Sequence, residues 1–332
     1  MRALFTILLL CLGPVLRAEQ YGPREFSGQA FTAIVSAFEP EIDAVIQHML
    51  DSGEASIKGG VEIHGVTYYL GEYRGQPVLI FATGISITNA AMTTQMALDY
   101  FPVERLIFMG ICGGINPQWQ PGDVVVPARW FYHDESIYAN PKEDRTAGHV
   151  LPDYYASYLE QANARRSDDP TLPEYVPFQF IYPSEVMVVK DGQTTPTLTP
   201  YFAASEELLA AAQAAVESLP PQTLGEREVQ FSVGGHGVSG SVFLDNRDYR
   251  EWVRGVYTAE VTDMESSAIG QVCTVNGVDW VVIRAVSDLA GGQHGPNELS
   301  EYKVSASAFG TTLLFALLDE LFGLAEVGAG QH

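Results

Sequence analysis

Residues 261–290 read VTDMESSAIGQVCTVNGVDWVVIRAVSDLA and join an amphipathic helix to a strand that is apolar at nearly every position. The helix is indicated by Met264, Ala268 and Val272, which recur every four residues and so share one face. The strand, WVVIRAV, is rich in β-branched residues and lacks the polar alternation of a strand with one wet face. Because such a strand is covered on both faces, this segment favours the α/β class.

Two carboxylates lie at the ends of these elements rather than on a solvated face. Glu265 is at the start of the helix, and Asp288 follows the carboxyl end of the strand. Open α/β sheets bind their ligands in the crevice outside the carboxyl ends of their strands. We therefore interpret the two residues as part of a candidate active-site wall.

Strand and helix patterns alternate along the first 131 residues, which again indicates an α/β sheet. The predicted strands are 31–38, 66–73, 77–83, 105–110 and 124–131. One helix is predicted over 41–50, and a second follows the glycine turn of TGISITNAAMTTQMALDYF. The glycine-rich segment 111–123 is predicted to be a loop.

Residues 135–200 interrupt this rhythm, because they are rich in Pro, Asp, Tyr and Thr and show no sustained periodicity. A loop region of this length is usually functional or an insertion at the edge of the sheet. Regular patterns return with helices over 205–219 and 305–322, and a frayed tail is expected after them. No internal repeat, dinucleotide-binding glycine motif or P-loop is present.

The chain is strongly acidic, with 41 Asp and Glu residues against 18 Lys and Arg and a net charge of −23. Such a chain repels polyanions, so we expect neither nucleic acid nor an anionic membrane as a partner. The seven histidines show no metal-ligand spacing. Two cysteines outside the first 18 residues, Cys112 and Cys273, lie in apolar settings and are expected to be packing residues.

The first 18 residues, MRALFTILLLCLGPVLRA, have a basic start, an apolar centre and a small residue at the end. This pattern predicts a secretory signal peptide over 1–18, with an uncleaved anchor as the alternative. No later stretch reaches 18 consecutive apolar residues. We therefore expect a single domain over 19–332 that is secreted or periplasmic, with no membrane contact after the leader is removed.

Eight fragments in order resemble the nucleoside phosphorylase/nucleosidase superfamily, and within it the methylthioadenosine/S-adenosylhomocysteine nucleosidases. They are AFEPEID, ATGISITNAA, FMGICGGI, PGDVVV, YHDES, GVSGSVFLDN, VTDMESSAIGQVC and VVIRAVSD, spread over residues 31–320. The resemblance implies a three-layer α/β/α sandwich with a mixed central sheet and no metal or organic cofactor. Residues 135–225 are longer than the family pattern and count as an extended insertion.

The family breaks the bond between ribose C1′ and purine N9, which needs an acid at N7 and a base that activates water. By resemblance, Asp288 protonates N7 with help from Ser287, and burial is expected to raise its pKa. Glu41 activates the water. Glu39 lies two residues before it at the same helix start, and only the match to the family fragment assigns the role to Glu41 rather than to Glu39.

The resemblance also implies how the substrate, a purine nucleoside, is bound. Glu265 accepts hydrogen bonds from the ribose 2′- and 3′-hydroxyls, and Met264 packs on the sugar. Phe243 stacks on the purine, and the backbone of Leu244 reads the base edge. The segment 132–134 matches one that approaches the neighbouring subunit's site, which implies a homodimer.

Phosphorylases of the family bind phosphate with an arginine and a serine where this chain has Phe108 and Ile111. An isoleucine cannot replace a serine hydroxyl as a phosphate ligand. We therefore expect a hydrolase acting on adenosine-type nucleosides. The alternatives are a phosphate-dependent phosphorylase and a non-catalytic storage or nucleoside-binding relative. Substitutions near the site, among them Ile111 and the stretch GGQHGPNE, leave the 5′-substituent of the substrate open.

Overall fold

The computed structural model describes residues 15–17, 29–143, 148–190 and 193–328. The longer strands are β2 (Phe31–Ser36), β3 (Ala55–Ile63), β4 (Val66–Tyr73), β5 (Gln76–Ala82), β6 (Val103–Gly114), β20 (Ala259–Asp263) and β21 (Asp279–Asp288). Short strands are β1 (Val15–Arg17), β7 (Val124–Val126), β8 (Arg129–Tyr132), β9 (Ser136–Tyr138), β10 (Asn140–Pro141), β11 (His149–Val150), β12 (Ile181–Pro183), β13 (Val186–Val188), β14 (Thr197–Thr199), β15 (Phe202–Ala203), β16 (Thr223–Leu224), β17 (Arg227–Glu228), β18 (Phe231–Val233) and β19 (His236–Ser239). The helices are α1 (Glu39–Ser52), α2 (Ile87–Tyr100), α3 (Asp153–Ser167), α4 (Glu206–Ser218), α5 (Arg247–Tyr257), α6 (Ser266–Asn276) and α7 (Leu299–Gly328).

The central sheet of the described chain is mixed, with 13 strands. Strands β5, β2, β6 and β21 are consecutive and parallel, and β4 and β3 extend them as an antiparallel meander. The last residues of β6 also pair antiparallel with β20, which leads on to β19, β8 and β15. The carboxyl ends of β2, β6 and β21 therefore meet at one edge, as a candidate site requires.

Helices cover both faces of this sheet and make a three-layer sandwich. Val282 points to one face, toward α2 and α6, while Val281 and Ile283 point to the other, toward α1, α4 and α7. Because both faces of the sheet are covered, the residues of β21 from Trp280 to Ile283 are all apolar, whichever face they point to. The predicted α/β/α architecture with a mixed sheet is confirmed.

Helix α7 is the one described helix that is long and apolar enough, over Leu299–Gly323, to cross a membrane by length and composition. Half of its most apolar window is buried inside the fold. Leu313, Leu314 and Leu317 are fully buried in the core that α7 shares with β21. Its apolar character is thus explained by packing as a core helix.

The structure corrects several details of the sequence prediction. Ile111–Gly114, predicted as loop, continue β6, where a Cβ on Gly113 would lie only 3.0 Å from the Cβ of Ala290. The predicted strand 124–131 is two strands that pair with different partners, because Pro127 lacks the N–H that a continuous ladder needs. Strand β3, with its adjacent glycines, and helix α5 were not predicted. The last helix begins at Leu299, earlier than predicted.

Helix α3 lies inside the segment that showed no periodicity. Its buried positions are Tyr155, Ala162 and Arg166, an aromatic, a small and a charged residue. Because these three residues do not form an apolar stripe, hydrophobic periodicity does not reveal the helix. The insertion packs through Leu172 and its neighbours against the cluster that contains Leu244.

Most of the predicted leader lies outside the described residues. Val15–Arg17 are described, and they pair in parallel with Gly60–Glu62 of β3 at the edge of the sheet. Cleavage after Ala18 would remove this short strand and leave β3 as the edge. The cleaved leader stays a prediction.

Candidate active site

A cavity of about 310 Å³ opens where β2, β6, β20 and β21 end. All seven residues that the resemblance assigns to catalysis or substrate binding line it: Glu41, Phe243, Leu244, Met264, Glu265, Ser287 and Asp288. No described residue of the segment 135–225, which leaves out 144–147 and 191–192, is among its lining residues. The described part of this segment instead packs behind Leu244 of the cavity wall.

Glu41 is buried on the first turn of α1, which begins right after β2. Its Oε1 accepts a hydrogen bond from the Ile111 N–H at 2.9 Å, and Oε2 accepts from the Ala37 N–H at 3.1 Å. Burial raises its pKa from 4.5 to about 7, although Arg284 and the two backbone donors act in the opposite direction. Glu39, by contrast, is exposed, so the geometry favours Glu41 as the functional carboxylate.

Arg284 is fully buried beneath the cavity and is shared between carboxylates. Its Nη2 lies 2.6 Å from Oδ2 of Asp263 and 3.3 Å from Oε2 of Glu265. Its guanidinium carbon lies 4.1 Å from the centre of the Phe108 ring. Burial alone would lower the pKa of Arg284, but the surrounding carboxylates reverse the effect and raise it.

Asp263 organises the turn between β20 and α6. Its Oδ1 accepts from the N–H groups of Glu265 and Ser266, both at 3.2 Å, and from the Ser239 hydroxyl. Glu265 is thereby fixed at the cavity, where Oε1 also accepts from the Ser86 N–H at 2.8 Å. Burial raises the pKa of Glu265, and Arg284 opposes this.

The charges in this basin do not balance. Three buried carboxylates, Glu41, Asp263 and Glu265, surround one guanidinium. With all of them ionised the group carries a net charge of −2. Glu41 is the member that gains a proton most readily near neutral pH, because burial raises its pKa to about 7. Such a basin favours positive charge in its ligand and disfavours an anion.

Asp288 is the last residue of β21 and is buried at the far end of the same lining. Its Oδ1 accepts from the Ala290 N–H at 2.9 Å, and Ser287 Oγ lies 3.0 Å from its Oδ2. Burial raises the pKa of Asp288. A carboxyl group that holds its proton toward neutral pH can act as an acid.

Much of the remaining wall is apolar, and exposed Lys303 of α7 adds one cation to it. Leu244 is buried, whereas Phe243 is 57% exposed and Val242 is 44% exposed on the loop after β19. Ile85 and half-buried Met264 complete this side. A flat aromatic ring beside carboxylates suits a ligand with one π face and several polar edges.

Sequence reasoning missed Arg284 and Asp263. Both have a signal that could have found them: Arg284 is a lone cation in a strand of buried apolar residues, and Asp263 lies two residues before Glu265. A charged residue in a fully covered strand needs a buried partner of opposite charge. The sequence did not specify which acid that partner is.

Gly110 of β6 leaves room for the guanidinium. A Cβ at this position would lie 2.1 Å from Arg284 Nη1 and 3.2 Å from Glu41 Oε1. We expect Gly110→Ala to displace Arg284 and to lower turnover about 10²-fold, because a displacement of about 1 Å at a reacting group costs that much. Gly255→Ala, whose Cβ meets no atom within 4 Å, is the matched control. Full activity of Gly110→Ala would contradict the account of Arg284.

The segment 132–134 is packed within its own chain. His133 is buried, with Nδ1 3.2 Å from the Tyr249 hydroxyl, and Asp134 accepts from the Ser241 N–H at 2.6 Å. None of the three residues lines the cavity of this chain. Among the described residues, no three His, Cys, Asp or Glu side chains are grouped so that they could hold a metal ion.

A mixed α/β sandwich with an acid-lined cavity at its strand ends defines a protein that binds a small, partly aromatic ligand. The model of the phosphorylase superfamily matches residues 32–321. The chain belongs to this superfamily.

Several relatives are 5′-methylthioadenosine/S-adenosylhomocysteine nucleosidases. The protein of this name from Marinomonas sp. (strain MWYL1) is 27% identical over 275 residues, which cover 82% of this chain and 92% of the relative. The one from Tolumonas auensis is 26% identical, over 87% of this chain and 98% of the relative.

Solved structures share the fold. The nucleosidase from Colwellia psychrerythraea, in complex with adenine, has a TM-score of 0.62 at 22% identity and covers 89% of this chain and 97% of its own. The futalosine hydrolase of Helicobacter pylori has a TM-score of 0.60 at 17% identity, over 88% and 98%.

Proposed function

We propose that this protein is a hydrolase that cleaves the N-glycosidic bond of purine nucleosides of the adenosine type. The observation that carries the proposal is the pair Glu41 and Asp288, two buried carboxyl groups with raised pKa values that line one cavity. The relatives named above, which are nucleosidases, support the same reaction class. Carboxyl groups with raised pKa values that share one cavity are typical of catalytic sites.

Asp288 acts as the general acid. A purine anion leaves poorly, so the base must gain a proton at N7 as the C1′–N9 bond breaks. Phe243 and Leu244 hold the base against this end of the cavity, Phe243 by stacking and Leu244 through its backbone. Ionised Asp288 can afterwards accept a hydrogen bond from a 6-amino group, which favours adenine.

Glu41 acts as the general base. It must be ionised to take a proton from the attacking water, and its pKa of about 7 is matched to that task near neutral pH. Glu265 accepts from the ribose hydroxyls beside it, with Met264 against the sugar. The negative basin around Arg284 stabilises the positive charge that develops on the ribose ring in the transition state.

Hydrolysis is favoured over phosphorolysis by the charge of the site. Phosphate is a dianion that needs cationic or neutral donors around it. Two cations line the cavity: Arg284 is already paired with Asp263 and Glu265, and Lys303 lies on an exposed part of α7. Ile111 presents an apolar side chain to the cavity. Water, which is neutral, enters such a basin at lower cost than phosphate does.

The test is release of free base from adenosine, methylthioadenosine and inosine, followed with and without added phosphate. We expect release without phosphate and a preference for the two adenine nucleosides. If no base is released from any of the three, the protein is a storage or binding protein. Binding of adenosine measured by calorimetry would then identify a nucleoside-binding role. The ranking of the adenine nucleosides reports the preferred 5′-substituent.

We further propose that the protein acts as a homodimer and is exported after removal of residues 1–18. The homodimer rests on the segment 132–134, and export rests on the leader pattern. Light scattering of the purified protein should give twice the chain mass. Intact mass of the protein recovered outside the cytoplasm should match a chain that begins at Glu19; a full-length mass would contradict the cleavage.

A further inference from the structure

The acid Asp288 has a hydrogen-bond partner that lies outside the family-like fragments. Asn297, in the loop before α7, donates from Nδ2 to Oδ1 of Asp288 at 3.3 Å and to Oδ1 of Asp245 at 3.1 Å. Its own Oδ1 accepts from the Leu299 N–H at 2.9 Å. One amide thus joins two carboxylates to the start of a helix.

The orientation of this amide follows from its partners. A backbone N–H can only donate, so the Leu299 side must meet the amide oxygen, and ionised carboxylates can only accept, so they must meet the NH₂ group. A flipped Asn297 would place its oxygen against two carboxylates. The observed orientation is therefore the one in which every group has a suitable partner.

We propose, on the basis of the function proposed above, that Asn297 is a positioning residue for the acid Asp288. Its hydrogen bond to Oδ1 causes Asp288 to carry its proton on Oδ2. With the Ala290 N–H and the Asn297 NH₂ both pointing at Oδ1, that oxygen is committed as an acceptor. A proton on Oδ1 would face two donors. Oδ2, whose protein neighbour is Ser287 Oγ, is left as the oxygen that delivers the proton.

The hydroxyl of Ser287 is able to follow the charge on Asp288. It lies 3.1 Å from the Cys112 carbonyl oxygen and 3.0 Å from Asp288 Oδ2. Before a substrate binds, protonated Asp288 donates from Oδ2–H to this hydroxyl, which in turn donates to the carbonyl. With a purine bound, Oδ2–H turns from Ser287 to N7. Once the proton has moved to the base, the hydroxyl turns and donates to the new carboxylate, which stabilises the product state.

The same network fixes the base-binding loop relative to the acid. Asp245 follows Leu244 directly, and its Oδ1 accepts from both Asn297 and Gln293 Nε2, the latter at 2.8 Å. Gln293 in turn accepts from the Gly291 N–H at 3.1 Å. The loop that holds the purine and the residue that protonates it are thus tied through Asn297.

Charged and titratable groups from several elements surround the end of the cavity that contains Asp288. They are Asp245 after β19, Arg247 and Arg250 on α5, Cys112 on β6 and Lys303 on α7. The rest of the cavity is lined by the charged residues Glu41, Asp263, Glu265 and Arg284. Asp245 raises the pKa of Asp288, and the Asn297 hydrogen bond lowers it. Replacing Asp245 and replacing Asn297 should therefore shift the pKa of Asp288 in opposite directions.

Asn297→Ala isolates the donor role, because it removes the NH₂ group without adding a charge. We expect the basic limb of the pH profile of kcat/KM to move up by about half a pH unit, since a hydrogen bond that lowers the pKa of Asp288 is lost. Asn297→Asp, which also adds a like charge beside Asp288, should move the limb further in the same direction. We expect kcat at its optimum to fall about tenfold. Asp245→Asn should move the same limb down, and less so at high salt, because Asp245 is exposed.

Ser300→Ala, at an exposed position in the first turn of α7, is the control and should leave the profile unchanged. A merely structural role for Asn297 would lower activity at every pH without moving the limb, and that result overturns the proposal. Carbon-13 NMR of labelled Asp carboxyls, assigned with Asp288→Asn, follows the same titration without substrate. If the wild-type protein released no base, this NMR shift would still decide the role of Asn297, separately from the proposed function.

Discussion

Glu41→Gln is expected to lower base release by ~10²–10⁴-fold, which is the usual contribution of a general base. Glutamine has nearly the same shape and keeps an oxygen for one of the two backbone donors, but it cannot accept the proton of a water molecule. The acidic limb of the wild-type profile should have an apparent pKa near 7, because Glu41 must be ionised. Initial rates from pH 5 to 9 measure both effects.

The same substitution should stabilise the protein at high pH. The pKa of Glu41 is raised in the folded state, so its contribution to stability is present below about pH 4.5 and is lost as the pH rises through about 7. Glutamine never ionises, so Glu41→Gln should unfold with a free energy higher by about 3 kcal/mol at pH 8. At pH 4.5 the two proteins should be nearly equal.

Glu39→Gln is the matched control for both measurements, since Glu39 lies two residues earlier on the same helix and is exposed. It should retain turnover and the stability of the wild type. A loss of activity in Glu39→Gln with full activity in Glu41→Gln would reverse the assignment of the base.

Asp288→Asn is the second variant with a large expected effect. Asparagine has no acidic proton to give to N7, so base release should fall by ~10²–10⁴-fold. Binding should change little, because the apolar wall and Glu265 remain. Turnover should therefore be lost in kcat, while calorimetric affinity for the nucleoside stays close to that of the wild type.

Asp279→Asn provides the comparison on the same strand. Asp279 and Asp288 are the first and last residues of β21, and only Asp288 is buried at the cavity. The control should behave as the wild type. An active Asp288→Asn protein would require another acid, and the account of the base-binding end would be wrong.

The fold could be predicted from the sequence because its strongest signals are local. WVVIRAV is covered on both faces, and α1 carries a clear apolar stripe through Ile42, Val45 and Ile46. The carboxylate at the end of the strand was found for the same reason, since the position of Asp288 follows from where the strand stops.

The missed features depend on contacts between distant residues. The sequence marks Arg284 as an unusual buried cation, but its partners Asp263 and Glu265 are identified only from the structure. Asn297 is identified as a partner of Asp288 only when the loop before α7 is seen to meet β21. Gly113 resembles a loop glycine in sequence, yet it serves the close approach of Ala290 inside the sheet. Hydrophobic periodicity reports only neighbours along the chain and does not indicate such contacts.

Helix α3 shows the same difficulty in another form. Arg166 is buried in it, and its guanidinium carbon lies 3.9 Å from the centre of the Tyr175 ring. The buried face of α3 is thus held partly by a cation–π contact and not by the row of apolar side chains that hydrophobic periodicity detects. The packing of Ala162, Leu172 and Tyr175 behind Leu244 likewise depends on contacts between distant residues.

Hydrolysis is tested most directly by the sugar product that the wild-type protein releases. Methylthioadenosine should be supplied in phosphate buffer, with the products separated and identified by mass. We expect free adenine and free methylthioribose, with a rate that does not change when phosphate is omitted. A sugar 1-phosphate, or turnover that needs phosphate, would contradict the charge argument built on Arg284, Glu41 and Ile111.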